Sequence, residues 1–243
     1  MKGIYYLADL VVEIHYNYEY TAKILEPFYT KYFGEFNHID FSVSVTKEET
    51  KAEYEKFKEF PEYFYENVCI LGKISDILAL KYQGLLFHAS TVLYDGLAYA
   101  FSAKSGTGKS THTNLLKELL QDELKYINDD KPFLRYDTTS DKIIAYGNPW
   151  RGKENRGTRR KAELGGICFL KRAKDNSIKR IDANEALPML LSQINLPKGK
   201  DGAQKALFVV DKILSLTPVY LLNCNKDISA AQLSFETMMK NKK

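Results

Sequence analysis

The chain has 243 residues, of which 44% are hydrophobic and 13% aromatic, which fits one main globular domain. The formal net charge of +4 is too small an excess to imply nucleic-acid binding. Asp9 and Glu13 interrupt the apolar N-terminal run, which excludes a signal peptide or membrane span, so we expect a cytoplasmic protein without a membrane partner. Cys69, Cys168 and Cys224 lie far apart within apolar runs, which predicts buried reduced thiols.

The N-terminal third predicts secondary structure but carries no motif with recognisable chemistry. The predicted elements are a strand over 3–16, a helix over 19–33, a strand over 38–46, a charged aromatic stretch to Glu66 and a helix over 74–82. We expect residues 1–84 to form an α/β extension that packs on a catalytic core of residues 85–243.

The C-terminal half predicts two hairpins and further alternating elements. The hairpins join "FLRY" to "KIIAY" (133–146) and "GGICFLKRA" to "IKRID" (165–182). After the N-cap Asp182, the pattern predicts a helix over 183–194, a helix over 203–216, a strand over 218–225 and a helix over 228–240. Strands outnumber what an alternating βαβ chain needs, so we expect a mixed sheet.

Residues 103–110 read AKSGTGKS, the Walker A pattern of phosphate-binding loops with alanine in the first glycine position. Gly106 and Gly108 allow the backbone N–H groups to turn inward, and an apolar strand precedes the loop while an amphipathic helix follows it. Lys109 is expected to reach the phosphates and the Ser110 hydroxyl to bind Mg²⁺. The predicted nucleotide-binding residues are Ala103, Lys104, Ser105, Gly106, Thr107, Gly108, Lys109, Ser110 and Thr111.

A predicted hairpin brings a histidine to this loop. Asp95-Gly96 favours a two-residue turn, which pairs Tyr94 with Leu97 and continues to a pairing of His88 with Ala103. The imidazole would then lie beside the base of the loop, which favours a functional role over that of an ordinary structural histidine.

Two adjacent carboxylates follow a short strand over 124–128. Asp129 and Asp130 lie a short distance after the loop helix, where a phosphate loop needs an acid to hold or orient its metal. Neighbouring strand residues point in opposite directions, so both acids serve one site only if the backbone turns there. A solvated turn is the alternative.

Together, His88, the loop "AKSGTGKST", the Asp129-Asp130 pair and the Glu-x-Arg-Gly sequence at 154–157 resemble the HPr kinase/phosphorylase catalytic domain and its phosphoenolpyruvate carboxykinase-like relatives. The resemblance covers about residues 85 to 172. It implies an α/β fold of the phosphoenolpyruvate carboxykinase-like P-loop kind, in which a mixed sheet wraps around the loop helix. Thr111 stands where HPr kinases usually have glutamate, so HPr itself is not the expected acceptor.

The resemblance also implies ATP- and Mg²⁺-dependent transfer of a phosphoryl group to a hydroxyl, that of a serine in a small molecule, peptide or protein. It implies that Lys109 binds phosphate and that the metal is bound by Ser110, Asp130 and Glu154. Asp129 would be the general base, tuned by His88. Arg156 would face the transferred group, and Arg151 and Arg159 are further candidates for that role.

The alternative is a nucleotide-binding switch or a slow ATPase, which needs neither a base nor an acceptor pocket. Nucleic-acid binding by the basic run 151–161 is disfavoured because the run overlaps the Glu-x-Arg-Gly sequence. The sequence leaves open the acceptor, the choice among ATP, GTP and pyrophosphate, the oligomeric state and the role of the N-terminal third.

Overall fold

The computed structural model describes residues 1–240, which form a mixed α/β fold with two sheets. The strands are β1 (Lys2–Leu7), β2 (Leu10–His15), β3 (Phe41–Ser44), β4 (Gly84–Leu86), β5 (Ala89–Tyr94), β6 (Leu97–Ser102), β7 (Lys125–Asn128), β8 (Phe133–Asp137), β9 (Lys142–Tyr146), β10 (Lys161–Arg172), β11 (Ser177–Ile181) and β12 (Val219–Cys224). The helices are α1 (Glu19–Leu25), α2 (Lys47–Phe57), α3 (Glu62–Lys81), α4 (Lys109–Leu120), α5 (Ala183–Leu191), α6 (Lys200–Leu216) and α7 (Ile228–Ser234), which continues into a π-helical turn (Phe235–Lys240).

The first sheet shows that the single strand predicted over 3–16 is wrong, because the chain folds back on itself there. β1 and β2 form an antiparallel hairpin, and the turn residues Ala8 and Asp9 have φ values of 52° and 62°. Two central residues with positive φ are typical of a tight two-residue hairpin turn. Leu7 lies opposite Leu10, so the buried side chains shift from odd positions in β1 to even positions in β2. The consecutive apolar residues Leu10, Val11 and Val12 conceal this shift in the sequence. β3 then joins β2 in parallel.

The N-terminal helices also differ from the predicted ones. The helix predicted over 19–33 ends as α1 at Leu25, and single 3-10 turns follow around Pro27, which cannot continue an α-helix. The stretch to Glu66, left without structure, contains α2, whose start is fixed by reciprocal hydrogen bonds between Thr46 and Glu49. The helix predicted over 74–82 is α3, which begins twelve residues earlier, at Glu62.

The second sheet has nine strands in the order β4-β8-β9-β10-β6-β5-β7, and β12 joins β10 and β11. β10 runs parallel to both β6 and β12, and the remaining pairs are antiparallel, so the expected mixed sheet is confirmed. The predicted hairpin over 165–182 is wrong, because β12 lies between β10 and β11. Those two strands each gain a partner that is more than 35 residues away in sequence, a pairing that local turn signals do not predict.

The predicted β5–β6 hairpin is confirmed, with Tyr94 opposite Leu97 and Ser90 opposite Phe101. The hairpin over 133–146 is confirmed as β8 and β9. The loop helix α4 packs on one face of the sheet with α7, against Tyr99, Phe101 and other buried residues. Helices α5 and α6 pack on the opposite face, so β6 and β10 are covered on both sides.

A third apolar cluster joins the N-terminal elements to the second sheet. It combines residues of β1, β2 and α3 with Phe133, Tyr146 and Trp150. The division into domains at residues 84 and 85 stays a prediction. Cys168 is fully buried, whereas Cys69 and Cys224 are half-buried, and all three are free thiols. Within residues 1–240, the helices are too short or too polar to cross a bilayer.

Candidate functional site

The expected strand-loop-helix arrangement is present around residues 103–108, because β6 ends at Ser102 and α4 begins at Lys109. Gly106 and Gly108 have φ values of 75° and 125°, a region that side chains with a Cβ rarely adopt. A Cβ atom at Gly106 would meet nothing within 4 Å, so backbone conformation and not space is what favours glycine there. The amide of Thr107 donates to the carbonyl of Lys104 at 3.1 Å, which closes the turn.

Arg172, at the end of β10, contacts the outer side of this loop. Its Nε donates to the carbonyl of Thr107 at 3.1 Å, and its Nη2 donates to the carbonyl of Gly106. The guanidinium therefore holds the carbonyls of Gly106 and Thr107 toward β10 and stabilises the shape of the loop.

A cavity of about 620 Å³ opens beside the loop on the side of β10 and β12. Its polar wall includes Lys104, Arg172 and Gln193, and its apolar floor includes Phe169 and Met189. A few polar groups over an apolar floor are typical of small-molecule sites.

Lys109 is 9% exposed and lies at the base of the loop, where its Nζ donates to the carbonyl of Ala103 at 3.2 Å. Burial lowers the pKa of this ammonium, while the charges of Asp130 and Asp129 act in the opposite direction. The lysine and the two acids therefore lie close enough to interact electrostatically, which is the convergence that the sequence predicts.

The backbone turns at the two acids, as a shared site requires. The side-chain oxygen of Asn128 accepts hydrogen bonds from the amides of Asp130 and Lys131 at 2.9 and 2.7 Å. Its amide nitrogen donates in turn to Asn148 and Trp150, so the fully buried Asn128 fixes the turn from both sides. Sequence reasoning missed this residue, although an asparagine before a turn is a recognised signal.

Asp129 is 5% exposed, and its Oδ1 accepts a hydrogen bond from the hydroxyl of Ser90. The Ser90 hydroxyl also lies 2.9 Å from that of Thr113 on α4, which ties the strand, the acid and the helix together. Among the atoms that the structure describes, the buried Oδ2 of Asp129 has no hydrogen-bond partner. A buried carboxylate oxygen without a donor is costly, and such an atom is typical of a site that awaits a ligand or a proton.

Burial raises the pKa of Asp129, the Ser90 hydrogen bond, the polar Ser110 side chain and the charge of Arg156 lower it, and the charge of Asp130 raises it. The net direction is upward from the ordinary aspartate value. An aspartate with a raised pKa holds a proton more readily near neutral pH, which suits a general base.

His88 lies at the loop side of β5, but it contacts Asp130 and not Asp129. Its Nε2 is 3.6 Å from Oδ1 of Asp130, and its Nδ1 is 3.1 Å from Oε1 of Gln193. Burial and the charge of Lys109 lower the pKa of His88, whereas Asp130 raises it. The residue that touches Asp129 directly is Ser90, which shares a face of the strand with His88.

The segment with the Glu-x-Arg-Gly sequence runs beside β7. Gly157 forms an antiparallel bridge with Asn128, and the amide of Asp129 donates to the carbonyl of Arg156 at 3.0 Å. A Cβ at Gly157 would lie 2.8 Å from side-chain atoms of Arg151 and 3.1 Å from the Ile127 carbonyl, so only glycine fits this close approach.

The charged residues of this segment point in different directions. Arg156 pairs with Glu154 at 3.1 Å and donates to Asn114 on α4, near enough to Asp129 to lower its pKa. Arg159 instead donates to the carbonyl of Pro27 at 3.4 Å and stacks on aromatic rings of the N-terminal elements. Of these arginines, Arg156 therefore lies beside the acids and Arg159 faces away from them.

Within residues 1–240, no three His, Cys, Asp or Glu side chains are grouped closely enough to hold a metal by themselves. This arrangement fits Mg²⁺, which commonly takes one or two carboxylates together with substrate phosphates and water. The partly exposed carboxylate of Asp130 fits such a role. The metal role of Glu154 stays a prediction, because its carboxylate pairs with Arg156.

Two residues that contact the site come from distant parts of the chain. Arg172 and Gln193 have no local pattern that marks them, and only the fold brings them to the loop and to His88. Ser90 could have been predicted as a site residue, because the alternation of side chains in β5 places it on the same face as His88.

No family model matches the sequence, and no curated protein matches it. Among solved structures, the fold is similar to that of the Hpr(Ser) kinase/phosphatase from Coxiella burnetii, with a TM-score of 0.39 and 11% identity over 64% of this chain and 97% of that chain. A likeness this distant assigns neither a detailed fold nor an activity.

Proposed function

We propose that the protein is an ATP- and Mg²⁺-dependent kinase that transfers the γ-phosphoryl group to a hydroxyl, that of a serine in a small molecule, peptide or protein. One observation carries the proposal. Asp129, a buried carboxylate with a raised pKa and an unpartnered oxygen, lies within electrostatic range of Lys109 at the base of the loop.

The order of the strands suggests how a nucleotide would lie. β6 carries the loop, with β10 on one side of it and β5 and β7 on the other. The cavity opens on the β10 side, and the acids Asp129 and Asp130 follow β7. We infer that the nucleoside occupies the cavity and that the terminal phosphate lies on the side of the acids, where an acceptor would approach.

Each residue at the acid end then has a task that its surroundings support. Lys109 and the inward-facing loop amides bind the phosphates, and Arg156 offers guanidinium donors to charge that develops on the transferred group. Asp130 and Ser110 would hold Mg²⁺, which would supply positive charge against that of the phosphates. Asp129 in its deprotonated form accepts the proton of the acceptor hydroxyl through its free Oδ2.

The second candidate is a nucleotide-binding switch or slow ATPase. Arg159 and Trp150, in the same segment as Arg156, contact Pro27 and Asn67 of the N-terminal elements. These contacts favour this candidate, because a change at the site could pass through them to a partner bound at the N-terminal elements. It uses the same loop and metal ligands but has no acceptor other than water.

A labelling experiment separates the two candidates. The full chain is incubated with γ-labelled ATP, Mg²⁺ and a panel of free serine, serine-containing peptides and carrier proteins. We expect label on an acceptor in the panel, and we expect Lys109→Ala to reduce the transfer by about 10²- to 10³-fold. Label that appears only as free phosphate would favour the switch, and transfer that survives Lys109→Ala would contradict both candidates.

A further inference from the structure

The segment that carries Glu154 and Arg156 is held from outside the catalytic core. This catalytic segment, defined here as residues 147–160 between β9 and β10, contacts the N-terminal elements at Trp150 and Arg159, and Asp9 binds the two strand residues that flank it. We propose that these contacts make Asp9 and Asn67 positioning residues for the reaction, so that the N-terminal third sets the geometry of the acids. This inference rests on the proposed kinase function for its catalytic consequence.

Asp9, in the turn between β1 and β2, binds the two strand residues that flank the catalytic segment. Its Oδ2 accepts a hydrogen bond from the hydroxyl of Tyr146 at 2.8 Å, just before the segment. The same carboxylate pairs with Nζ of Lys161 at 2.6 Å, just after the segment. Tyr146 and Lys161 lie opposite each other in the β9–β10 pair, so Asp9 joins the strand pair that carries the segment to the N-terminal hairpin.

Asn67 on α3 binds Trp150 of the segment and is connected through it to the turn at Asp129 and Asp130. The indole Nε1 of Trp150 donates to Oδ1 of Asn67 at 3.3 Å. The carbonyl of Trp150 accepts from the side chain of Asn128 at 3.1 Å, and Asn128 in turn holds the amides of Asp130 and Lys131. A continuous series of buried hydrogen bonds thus connects α3 to the acids.

Arg159 adds a third contact near the C-terminal end of the segment. Its guanidinium lies 5.3 Å from the ring centroids of both Tyr32 and Phe33 and donates to the carbonyl of Pro27. A planar guanidinium over aromatic rings is a favourable contact. The N-terminal elements therefore hold two residues of the segment and the two strand residues that flank it, which is why we assign these contacts a positioning role.

The chain supplies its own probe for this proposal. Trp150 is the one tryptophan in the 243 residues, so intrinsic tryptophan emission reports on the catalytic segment alone. The test compares full-length wild type with Asp9→Asn, which is isosteric, and Lys161→Gln, which removes the ammonium, both at partly exposed positions. Lys2→Gln is the matched control, because Lys2 forms an exposed ion pair with Glu13 in the same hairpin, away from the segment.

In Asp9→Asn and Lys161→Gln we expect Trp150 to become more accessible to acrylamide and the maximal phosphotransfer rate to fall about fivefold, as expected when one hydrogen-bonded contact is lost. The dissociation constant for a fluorescent ATP analogue should stay within about twofold of wild type, because the loop itself is untouched. Lys2→Gln should match wild type in all three measurements.

Trp150→Phe removes the indole donor while it keeps the ring in its pocket, and it should lower the maximal rate with unchanged nucleotide affinity. Quenching in Asp9→Asn and Lys161→Gln that equals the Lys2→Gln control would overturn the positioning role, whatever the activity. Wild type that binds nucleotide but transfers no label would instead count against the kinase function, and the quenching comparison would still decide the inference.

Discussion

At the residue scale, the hydroxyl of Ser90 is the one direct hydrogen-bond donor to Asp129 among the side chains that the structure describes. Ser90 donates to Oδ1, and this hydrogen bond stabilises the charged carboxylate and lowers its pKa against the larger, opposite effect of burial. Removing the hydroxyl should therefore raise the pKa of Asp129 further. Because the base acts in its deprotonated form, activity should then appear only at higher pH.

Ser90→Ala tests this dependence through the pH-rate profile. We expect its acidic limb to move to higher pH, with a smaller change in the maximal rate at alkaline pH. Thr91→Val is the matched control, because the buried Thr91 hydroxyl on the same strand has no hydrogen-bond partner among the residues that the structure describes. A profile for Ser90→Ala that superimposes on that of Thr91→Val would show that Ser90 does not tune the base.

Asp129→Asn is expected to separate stability from activity. The pKa of Asp129 is raised in the folded state, so the folded protein holds the proton more tightly than the unfolded chain. Ionisation therefore destabilises the fold, with the full penalty above the folded pKa and none below about pH 3, where both states are protonated.

We expect Asp129→Asn to raise the melting temperature at neutral and alkaline pH, with the gain disappearing at acid pH, and to lower the phosphotransfer rate by about 10²- to 10⁴-fold. Thermal denaturation at several pH values gives the first result and the labelling assay the second. A melting temperature of Asp129→Asn that falls equally at every pH would mean that the carboxylate stabilises the fold. It would contradict a raised pKa for Asp129.

At the scale of elements, the outer support of the loop comes from β10. Arg172 holds two loop carbonyls, and the exposed setting suggests that the contact is worth about 1 kcal/mol. Arg172→Ala should therefore weaken nucleotide binding about fivefold, as measured by titration with a fluorescent ATP analogue.

Arg180→Ala on the neighbouring strand β11 provides the control, because Arg180 lies outside the loop cavity. We expect its nucleotide affinity to equal that of wild type. Equal affinity of the Arg172→Ala variant would show that the loop keeps its shape without this arginine.

The elements also show what the sequence alone could predict. The β5–β6 register followed from the Asp95-Gly96 turn, and the loop and its helix followed from the glycine spacing, because both signals are local. The insertion of β12 between β10 and β11 was not predicted, since it depends on pairing between distant segments. The turn at Ala8 was missed because the consecutive apolar residues Leu10, Val11 and Val12 conceal the shift in alternation that the turn produces.

The same distinction holds within the candidate site. His88, Lys109 and the acid pair were found because each lies near a recognisable motif. The partners of these residues were not found, because Arg172, Gln193 and Asn67 reach the site only through the folded chain. The sequence indicated that both acids could serve one site only if the backbone turned there, and Asn128 is the residue that holds this turn.

At the scale of the whole molecule, the N-terminal elements and the second sheet share an apolar cluster and a set of polar contacts on the catalytic segment. The acids lie on one side of the loop, and the cavity lies on the other. Under the proposed function, a bound nucleotide would run from the nucleoside in the cavity to the terminal phosphate at Asp129 and Asp130.

The most direct test is the structure of the full chain with Mg²⁺ and a non-hydrolysable ATP analogue. The account predicts a γ-phosphate held by Lys109 between the loop amides and the acids, Mg²⁺ on Ser110 and Asp130, and the nucleoside in the cavity lined by Phe169 and Met189. An analogue bound away from residues 103–111, or one whose γ-phosphate points into the cavity and away from Asp129, would contradict it.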